Sequence, residues 1–205
     1  IVGCFAQLKP KEIGQMEGVD MVLGANEKFN IIEHIEKINS KADDSAYISF
    51  DHIKKTNDFI PSYSIGDRTR SFLKIQDGCD YHCSFCTIPL ARGKSRNASV
   101  QETVNQAKKI AKTSVKEVVL TGVNIGDFGQ GKGDDFFTLI KELDKINGID
   151  RYRISSIEPN LLSNDIIHFC LNEAKKFAPH FHIPLQSGNN QILKAMRRKY
   201  DRELY

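Results

Sequence analysis

From residue 67 onward the apolar positions switch back and forth between two periods. Residues 71–75 (Ser-Phe-Leu-Lys-Ile) read as a strand that stops at Gly78. Val100, Val104, Ala107 and Ala111 then share one helical face, and Ser99 with Glu102 spells a capping box in front of them. Residues 117–120 read as a buried strand running into a glycine-rich loop. Phe136, Leu139, Ile140, Leu143 and Ile146 mark the next helix face, with Gly148 as its stop. A third strand is predicted at 152–155 and a third helix along Leu162, Ile166, Phe169, Cys170 and Ala174. Phe181, Ile183 and Leu185 alternate as a fourth strand, and a last helix starts near Asn189. Strand–helix repetition with short connections predicts a parallel sheet with right-handed crossovers, either open or closed into a barrel. Chemistry in such a sheet gathers at the C-terminal strand ends, which here means residues 79–86, 121–133, 156–159 and 186–188.

The first third of the chain is patterned differently. Residues 1–7 read as a strand end running into a loop, a helix is expected from Pro10, and 19–23 form a short apolar strand closed by Gly24. Ile31, Ile35 and Ile38, with Phe29 and Ile32 beside them, predict an amphipathic helix over 27–38. Residues 40–66 turn polar, which places a linker there with one short strand at 47–50. The predicted organisation is therefore the end of a small α/β domain (1–39), a linker (40–66) and an α/β domain (67–205). The chain begins at Ile1 rather than Met and is read as a piece of a longer protein.

Composition changes this picture in two places. Residues 1–66 carry seven Lys and Arg against ten Asp and Glu, while the remainder carries 22 against 16, so the basic excess belongs to the second domain. That distribution suits a phosphate-bearing partner, and a solvated surface explains any single Lys equally well. No apolar run approaches the roughly 18 residues of a membrane span, and no signal peptide is visible. The five cysteines form no disulfide framework, as suits a reducing cytoplasm.

Three of those five cysteines, Cys79, Cys83 and Cys86, fall within eight residues. Soft thiolates on one loop read as metal ligands, with zinc and iron–sulfur clusters as the candidates. Structural zinc wants four ligands, usually in two pairs, and no second pair exists here; His82 lies within the loop and Cys4 and Cys170 stand far away. A 4Fe-4S cluster has four irons, so three thiolates would leave one iron open to a small molecule. Iron–sulfur is the favoured reading and zinc the alternative. The loop Gly122-Val123-Asn124-Ile125-Gly126-Asp127-Phe128-Gly129 matches neither a phosphate-binding loop nor GxGxxG, and serves either as turns or as a cofactor wall with Asn124 as donor and acceptor. Glu158, before Pro159, is placed to accept hydrogen bonds from a ribose, or else is a solvated loop carboxylate. His180 and His182 read as structural, and Cys170, on an apolar helix stripe, as a buried free thiol without a role.

Taken together, IVGCFAQ, GVDMVLG, KIQDGCDYHCSFCTIPLARGKSRN, EVVLTGVNIGDFG, RISSIEP and HIPLQSGNNQILKAMRR resemble the radical S-adenosylmethionine methylthiotransferases, the MiaB-like family. CxxxCxxC is the spacing of radical S-adenosylmethionine enzymes. LTGVNIG and SSIEP resemble the branch that modifies N6-threonylcarbamoyladenosine beside the tRNA anticodon. The resemblance implies a partial (β/α) radical-SAM barrel, preceded by the end of an N-terminal domain that has its own cluster and, in the whole protein, followed by an RNA-binding β-domain. It further implies that Cys79, Cys83 and Cys86 hold the radical-generating 4Fe-4S cluster and that Cys4 is the last of three cysteines on an auxiliary 4Fe-4S cluster. Phe85, Asn124, Glu158 and Gln186 would line the S-adenosylmethionine site, with Phe85 near the adenine.

As the resemblance has it, the reduced cluster cleaves S-adenosylmethionine to a 5′-deoxyadenosyl radical, which removes hydrogen from C2 of the adenine. Sulfur then comes from the auxiliary cluster and methyl from a second S-adenosylmethionine. The implied partners are tRNA, through its anticodon loop, and an electron donor, with neither membrane nor DNA; Arg92, Lys94, Arg96, Arg197, Arg198 and Lys199 are candidate phosphate contacts. By itself this piece would not be a competent enzyme. Two alternatives stand beside this one: the same chemistry on isopentenyladenosine in tRNA or a ribosomal-protein aspartate, and a non-enzymatic zinc-bearing RNA-binding module.

Overall fold

A computed structural model describes residues 1–39, 45–53, 59–64, 69–129 and 134–205. The chain divides into two compact units, one of residues 1–57 with 86–94, the other of residues 58–85 with 95–205.

In the first unit, β1 (Met21–Leu23) pairs in parallel with β2 (Tyr47–Ser49) in the register Met21 to Tyr47. Val2 adds a parallel bridge to Leu23, so the expected strand end is present. The loop expected after it is instead a helix, α1 (Cys4–Leu8). Gly3, at φ 120°, turns the chain out of the bridge in a conformation that disfavours any side chain, and the helix starts at the next residue. α2 (Pro10–Gly14) follows with Pro at its first position, and Ala6, Ile13 and Val22 form the small core. The helix predicted over 27–38 exists as a 3₁₀ turn, Glu27–Asn30, leading into α3 (Ile31–Asn39). Its buried side chain is not an isoleucine of the apolar stripe. His34 is buried instead, 2.9 Å from Glu27 Oε2 and 3.2 Å from the Tyr47 hydroxyl, while Ile31, Ile32 and Ile35 are exposed. A short helix, α4 (Ile88–Arg92), completes the unit.

The second unit is built on a four-stranded sheet. β3 (Ser62–Tyr63) runs antiparallel to β4 (Arg70–Lys74), and β4, β7 (Glu117–Thr121) and β8 (Arg151–Ile154) run parallel in that order. The stretch read as a polar linker therefore carries two strands, β2 and β3; residues 40–44, 54–58 and 65–66 of it lie outside the described residues. A two-residue hairpin, β5 (Gln76–Asp77) with β6 (Arg96–Asn97), continues beyond β4. α5 (Val100–Ile110) connects β4 to β7, and both halves of the Ser99–Glu102 capping box are made. α6 (Phe136–Asp144), capped by Asp135, connects β7 to β8. The two helices cover the sheet and bury Val104, Ala107, Leu139, Ile140 and Leu143 against Leu73, Val118 and Leu120. This is the parallel α/β architecture that the patterning predicts. Among the described residues no helix is long and apolar enough to cross a membrane.

Two elements differ from expectation. The third helix is short, α7 (Asn164–His168), and widens into a π-helical turn over Phe169–Glu173. The fourth strand does not form. Residues 177–182 run parallel to β8 and its continuation, but only isolated bridges, Tyr152 to Phe177 and Ser156 to His182, are made. Pro179 just before the expected strand and Pro184 inside it, between Ile183 and Leu185, have no N–H to give to a ladder, so the apolar alternation of Phe181, Ile183 and Leu185 has no continuous pairing to follow. α8 (Asn190–Ala195) starts where predicted, capped by the side chain of Asn189.

Leu120 is fully buried at the centre of the parallel sheet, paired with Leu73 on one side and Ile154 on the other. Leu120→Ala is expected to lower the unfolding free energy of this unit by about 2–5 kcal/mol, read as a lower urea midpoint at unchanged slope.

Candidate active site

The cysteine loop is the excursion between β5 and β6. Its base is held by two consecutive buried polar residues. The carboxamide of Gln76 donates from Nε2 to the carbonyls of Asp77 (3.1 Å) and Gly78 (2.8 Å) and to Ser95 Oγ (2.9 Å). Its Oε1 accepts from the backbone N–H groups of Val123 (2.9 Å) and Asn124 (2.8 Å) in the glycine-rich loop. A Cβ at Gly122 would stand 3.0 Å from both oxygens of Gln76 and 2.8 Å from Ile125, so glycine is what lets this loop approach. Burial pushes the neighbouring Asp77 carboxyl up, but Lys74 at 3.0 Å, Arg96 at 3.2 Å and the N–H of Gly78 outweigh it and hold it at about 2.

All five cysteines are free thiols. Cys83 is buried, and its Sγ accepts a hydrogen bond from Arg198 Nη1 at 3.2 Å. Cys79, half-buried, accepts from the backbone N–H of Tyr81 at 3.4 Å. Cys86 is half-buried, while Phe85 and His82 are exposed. Among the described residues no three His, Cys, Asp or Glu side chains converge as ligands of a single metal ion. A 4Fe-4S cluster gives each thiolate its own iron and does not ask its ligands to meet at one point, as zinc does. Three free thiols on one loop, two of them already receiving N–H donors as cluster sulfurs do, fit the cluster.

Asn124 is buried at the start of a 3₁₀ turn, Ile125–Asp127. Its Nδ2 donates to Asp127 Oδ2 at 2.9 Å, and its Oδ1 has no partner. Asn160 donates to the Tyr81 hydroxyl at 2.6 Å, and its Oδ1 is also buried without a partner. Two orphaned acceptors beside the cysteine loop suit a ligand rich in donors. Glu158 is bonded to Arg198 Nη2, and Gln186 is exposed, its backbone N–H on the Tyr200 hydroxyl at 3.1 Å. The structure thus groups Cys79, Cys83, Asn124 and Glu158 through shared neighbours and leaves Gln186 and Phe85 on the surface.

Several residues of this site carry no signal in the sequence. Gln76 is one. Asp127 is another: burial, then the charge of Asp80 and that of Glu158, raise its carboxyl to about 6 against the donor bond from Asn124. The Tyr81 phenol is raised as well, chiefly by burial. Among the cations read as phosphate contacts, Arg96 is committed to Asp77 and Arg198 to Glu158 and Cys83. Arg92 donates to Cys4 Sγ at 3.3 Å, and Arg197 and Lys199 are exposed. His182 shares a 2.6 Å hydrogen bond with Ser156 Oγ. Cys170 holds its proton, its thiol pushed up to about 12 by burial and then by Asp144, as its inert reading requires. A groove of about 490 Å³ over α5 and α6, lined by Lys108, Lys112, Glu142 and Lys145, contains none of these residues.

A parallel α/β sheet with a three-cysteine loop beyond the end of its first parallel strand is one arrangement of a known class, and residues 73–205 match the Radical SAM superfamily, to which the chain belongs. Over 203 residues it is 37% identical to threonylcarbamoyladenosine tRNA methylthiotransferase MtaB of Aquifex aeolicus, covering 99% of this chain and 49% of that protein. Identity to the MtaB of Bacillus subtilis is 38% over 211 residues, all of this chain and 46% of that protein. It is also 34% identical to tRNA-2-methylthio-N(6)-dimethylallyladenosine synthase of Rickettsia rickettsii, over all of this chain and 47% of that protein. The chain thus spans just under half the length of these relatives. Among solved structures it is similar in fold to the radical S-adenosylmethionine methyltransferase TsrM from Kitasatospora setae, with a TM-score of 0.53 at 14% identity over 66% of this chain and 26% of that one.

Two predictions follow the geometry. Gln76→Ala leaves the Val123 and Asn124 N–H groups without their acceptor and is expected to cost about 1–3 kcal/mol for each group orphaned, read by urea denaturation. The second concerns Asp127, whose folded value of about 6 lies above the ordinary 3.8. Between those values the unfolded chain has released a proton that the folded chain keeps, so stability falls as pH rises through this window. Asp127→Asn is expected to melt higher than wild type above pH 6, with the gap closing toward about pH 4. A gap independent of pH would mean that the carboxyl is not titrating there.

Proposed function

We propose that the chain belongs to a tRNA methylthiotransferase that adds a methylthio group to C2 of N6-threonylcarbamoyladenosine beside the anticodon. The observation that carries this is the 36–38% identity to three MtaB proteins over 98–100% of the chain. The 34% identity to dimethylallyladenosine synthases keeps isopentenyladenosine as the second substrate reading. On this proposal the domain division is 1–39 for the end of the N-terminal domain and 67–205 for the radical SAM domain, with 40–66 between. The protein would work in the cytoplasm on the tRNA anticodon loop, whose unstacked bases can be splayed into a site, and would draw electrons from an electron donor.

Cys79, Cys83 and Cys86 would hold the 4Fe-4S cluster, and Cys4, beside Arg92, would hold one iron of a second. With S-adenosylmethionine beside it, such a cluster would supply one-electron reductive cleavage of that cofactor. The chain's own residues do the rest. Gln76 fixes the glycine-rich wall relative to the cysteine loop. Asn124 and Asn160 offer their free carbonyl oxygens to the cofactor's donors, and Phe85 provides a face for the adenine. Glu158, partnered by Arg198, has a second carboxylate oxygen for a ribose hydroxyl. Lys94, Arg197 and Lys199, all exposed, are the remaining candidates for tRNA phosphate.

The test is anaerobic reconstitution of the full-length protein, with iron, sulfide and zinc counted. About four irons per radical-SAM cluster and a reducible brown chromophore are expected; one zinc and no colour would replace this reading with a binding module. Cys83→Ala is expected to abolish reductive cleavage of S-adenosylmethionine, and Cys170→Ala to leave it nearly intact. Mass spectrometry of tRNA nucleosides from a deletion strain separates the substrates, since loss of methylthio-threonylcarbamoyladenosine alone is expected.

A further inference from the structure

Arg198 is the most constrained cation of the second unit that no step above requires. Its side chain is 5% exposed. One nitrogen of its planar fork, Nη1, donates to Cys83 Sγ at 3.2 Å, and the other, Nη2, to Glu158. The guanidinium carbon lies 5.3 Å from the centre of the Tyr200 ring. Burial disfavours the charged form, yet the Glu158 bond and charge, with the Cys83 sulfur, hold the proton more tightly than usual.

The backbone is shaped to put it there. α8 ends in a Schellman turn, in which the Arg198 N–H returns to Leu193 O at 2.9 Å and the Arg197 N–H to Lys194 O at 3.0 Å. The residue at the left-handed position of that turn is Arg197, at φ 58°, where glycine is usual and a side chain is strained. The Ser84 N–H bonds to Met196 O at 3.2 Å and ties the end of α8 to the residue after Cys83. Strain is thus accepted at the point that aims Arg198 at the sulfur.

We propose that Arg198 is a positioning residue that orients Cys83 and sets the reduction potential of the cluster this cysteine would hold. The inference rests on the proposed assignment of Cys83 as a cluster ligand. The sign follows from charge. One-electron reduction adds a negative charge that is shared with the ligand sulfurs, and a permanent cation donating to one of them favours the reduced form and raises the potential. Arginine suits the task because it stays protonated whatever the state of the thiol.

The experiment is a dithionite titration of the reconstituted full-length protein, followed by electron paramagnetic resonance, with iron content and melting temperature measured on each variant. Wild type comes first. If it holds no iron–sulfur cluster, the functional reading itself has failed, and Arg198 has no cluster to tune. If it holds the cluster, Arg198→Gln is expected to disfavour reduction at least tenfold, a negative shift of about 59 mV for a one-electron couple. Arg197→Gln removes the same charge from the exposed neighbour and is expected to shift nothing. An unchanged potential in an iron-loaded Arg198→Gln, or equal shifts in both variants, overturns the proposal. Should Arg198→Gln not fold or not load iron, Arg198→Lys and Glu158→Gln decide. The first keeps charge without the fork and is expected to fall below wild type. The second frees the guanidinium of its counter-charge and is expected to rise above it. No displacement in either overturns the proposal.

Discussion

Everything at the open edge of the sheet depends on one buried carboxamide. Gln76 is 1% exposed, and it uses both ends of its side chain, three contacts from the nitrogen and two to the oxygen. An amide can do this because it carries two donors and two acceptor lone pairs on one rigid plane. A carboxylate would lack the donors and a methionine both. The glycine-rich loop after β7 and the cysteine loop after β5 are 48 residues apart in sequence and are held to the same plane. Buried polar networks that are fully satisfied rigidify their surroundings. Four of the five partners of Gln76 are backbone groups, so the constraint passes directly into the chain path of both loops.

The electrostatics built on that base are divided. Asp77, below the cysteine loop, is held at about 2 by Lys74 and Arg96, so it is an anion throughout the working range. Asp127, on the wall of the site, is raised to about 6 by burial first and then by the charges of Asp80 and Glu158, against the donor bond from Asn124. The two carboxyls are pushed apart by environment rather than by residue type. The first is a structural counter-charge. The second, with the unpartnered oxygens of Asn124 and Asn160, makes this wall of the site rich in acceptors. Such a balance complements a ligand that carries positive charge and hydroxyl donors, which supports the cofactor reading by chemistry independent of cysteine spacing.

What could be read in the sequence was what is encoded locally. Ser99 and Glu102 stand three residues apart and make their capping box as written, and the three cysteines declare themselves by spacing alone. The parallel strands were visible because Leu73, Val118, Leu120, Tyr152 and Ile154 stand at every second position and turn one face of each strand to the core. The alternation of Phe181, Ile183 and Leu185 points to a fourth strand only if Pro184 within it and Pro179 before it are given no weight. On α3 the isoleucine stripe concealed that the buried group is His34, which has Glu27 and Tyr47 as partners from two other elements. Gln76, Asp127 and Arg198 were silent for one shared reason. Each acts through groups distant in sequence or on backbone atoms, and the Arg198 contact with Cys83 spans 115 residues. Arg198 in particular sits in a basic run that looks like a solvated surface, and only the fold shows it turned inward.

The two units repeat one local device. In the first, Arg92 Nε donates to Cys4 Sγ at 3.3 Å; in the second, Arg198 Nη1 donates to Cys83 Sγ at 3.2 Å. A sulfur is a weak acceptor when it is a thiol and a strong one when it is a thiolate. A guanidinium spent on a neutral thiol gains little for the desolvation it undergoes, and it gains much on a thiolate. Glu158 already neutralises Arg198, so the sulfur is not needed to compensate the cation. On the proposal that Cys83 ligates a cluster, the contact joins a cation to a thiolate, the stronger arrangement. Cys170 is the contrast within the same chain: burial, then the charge of Asp144, hold its proton on.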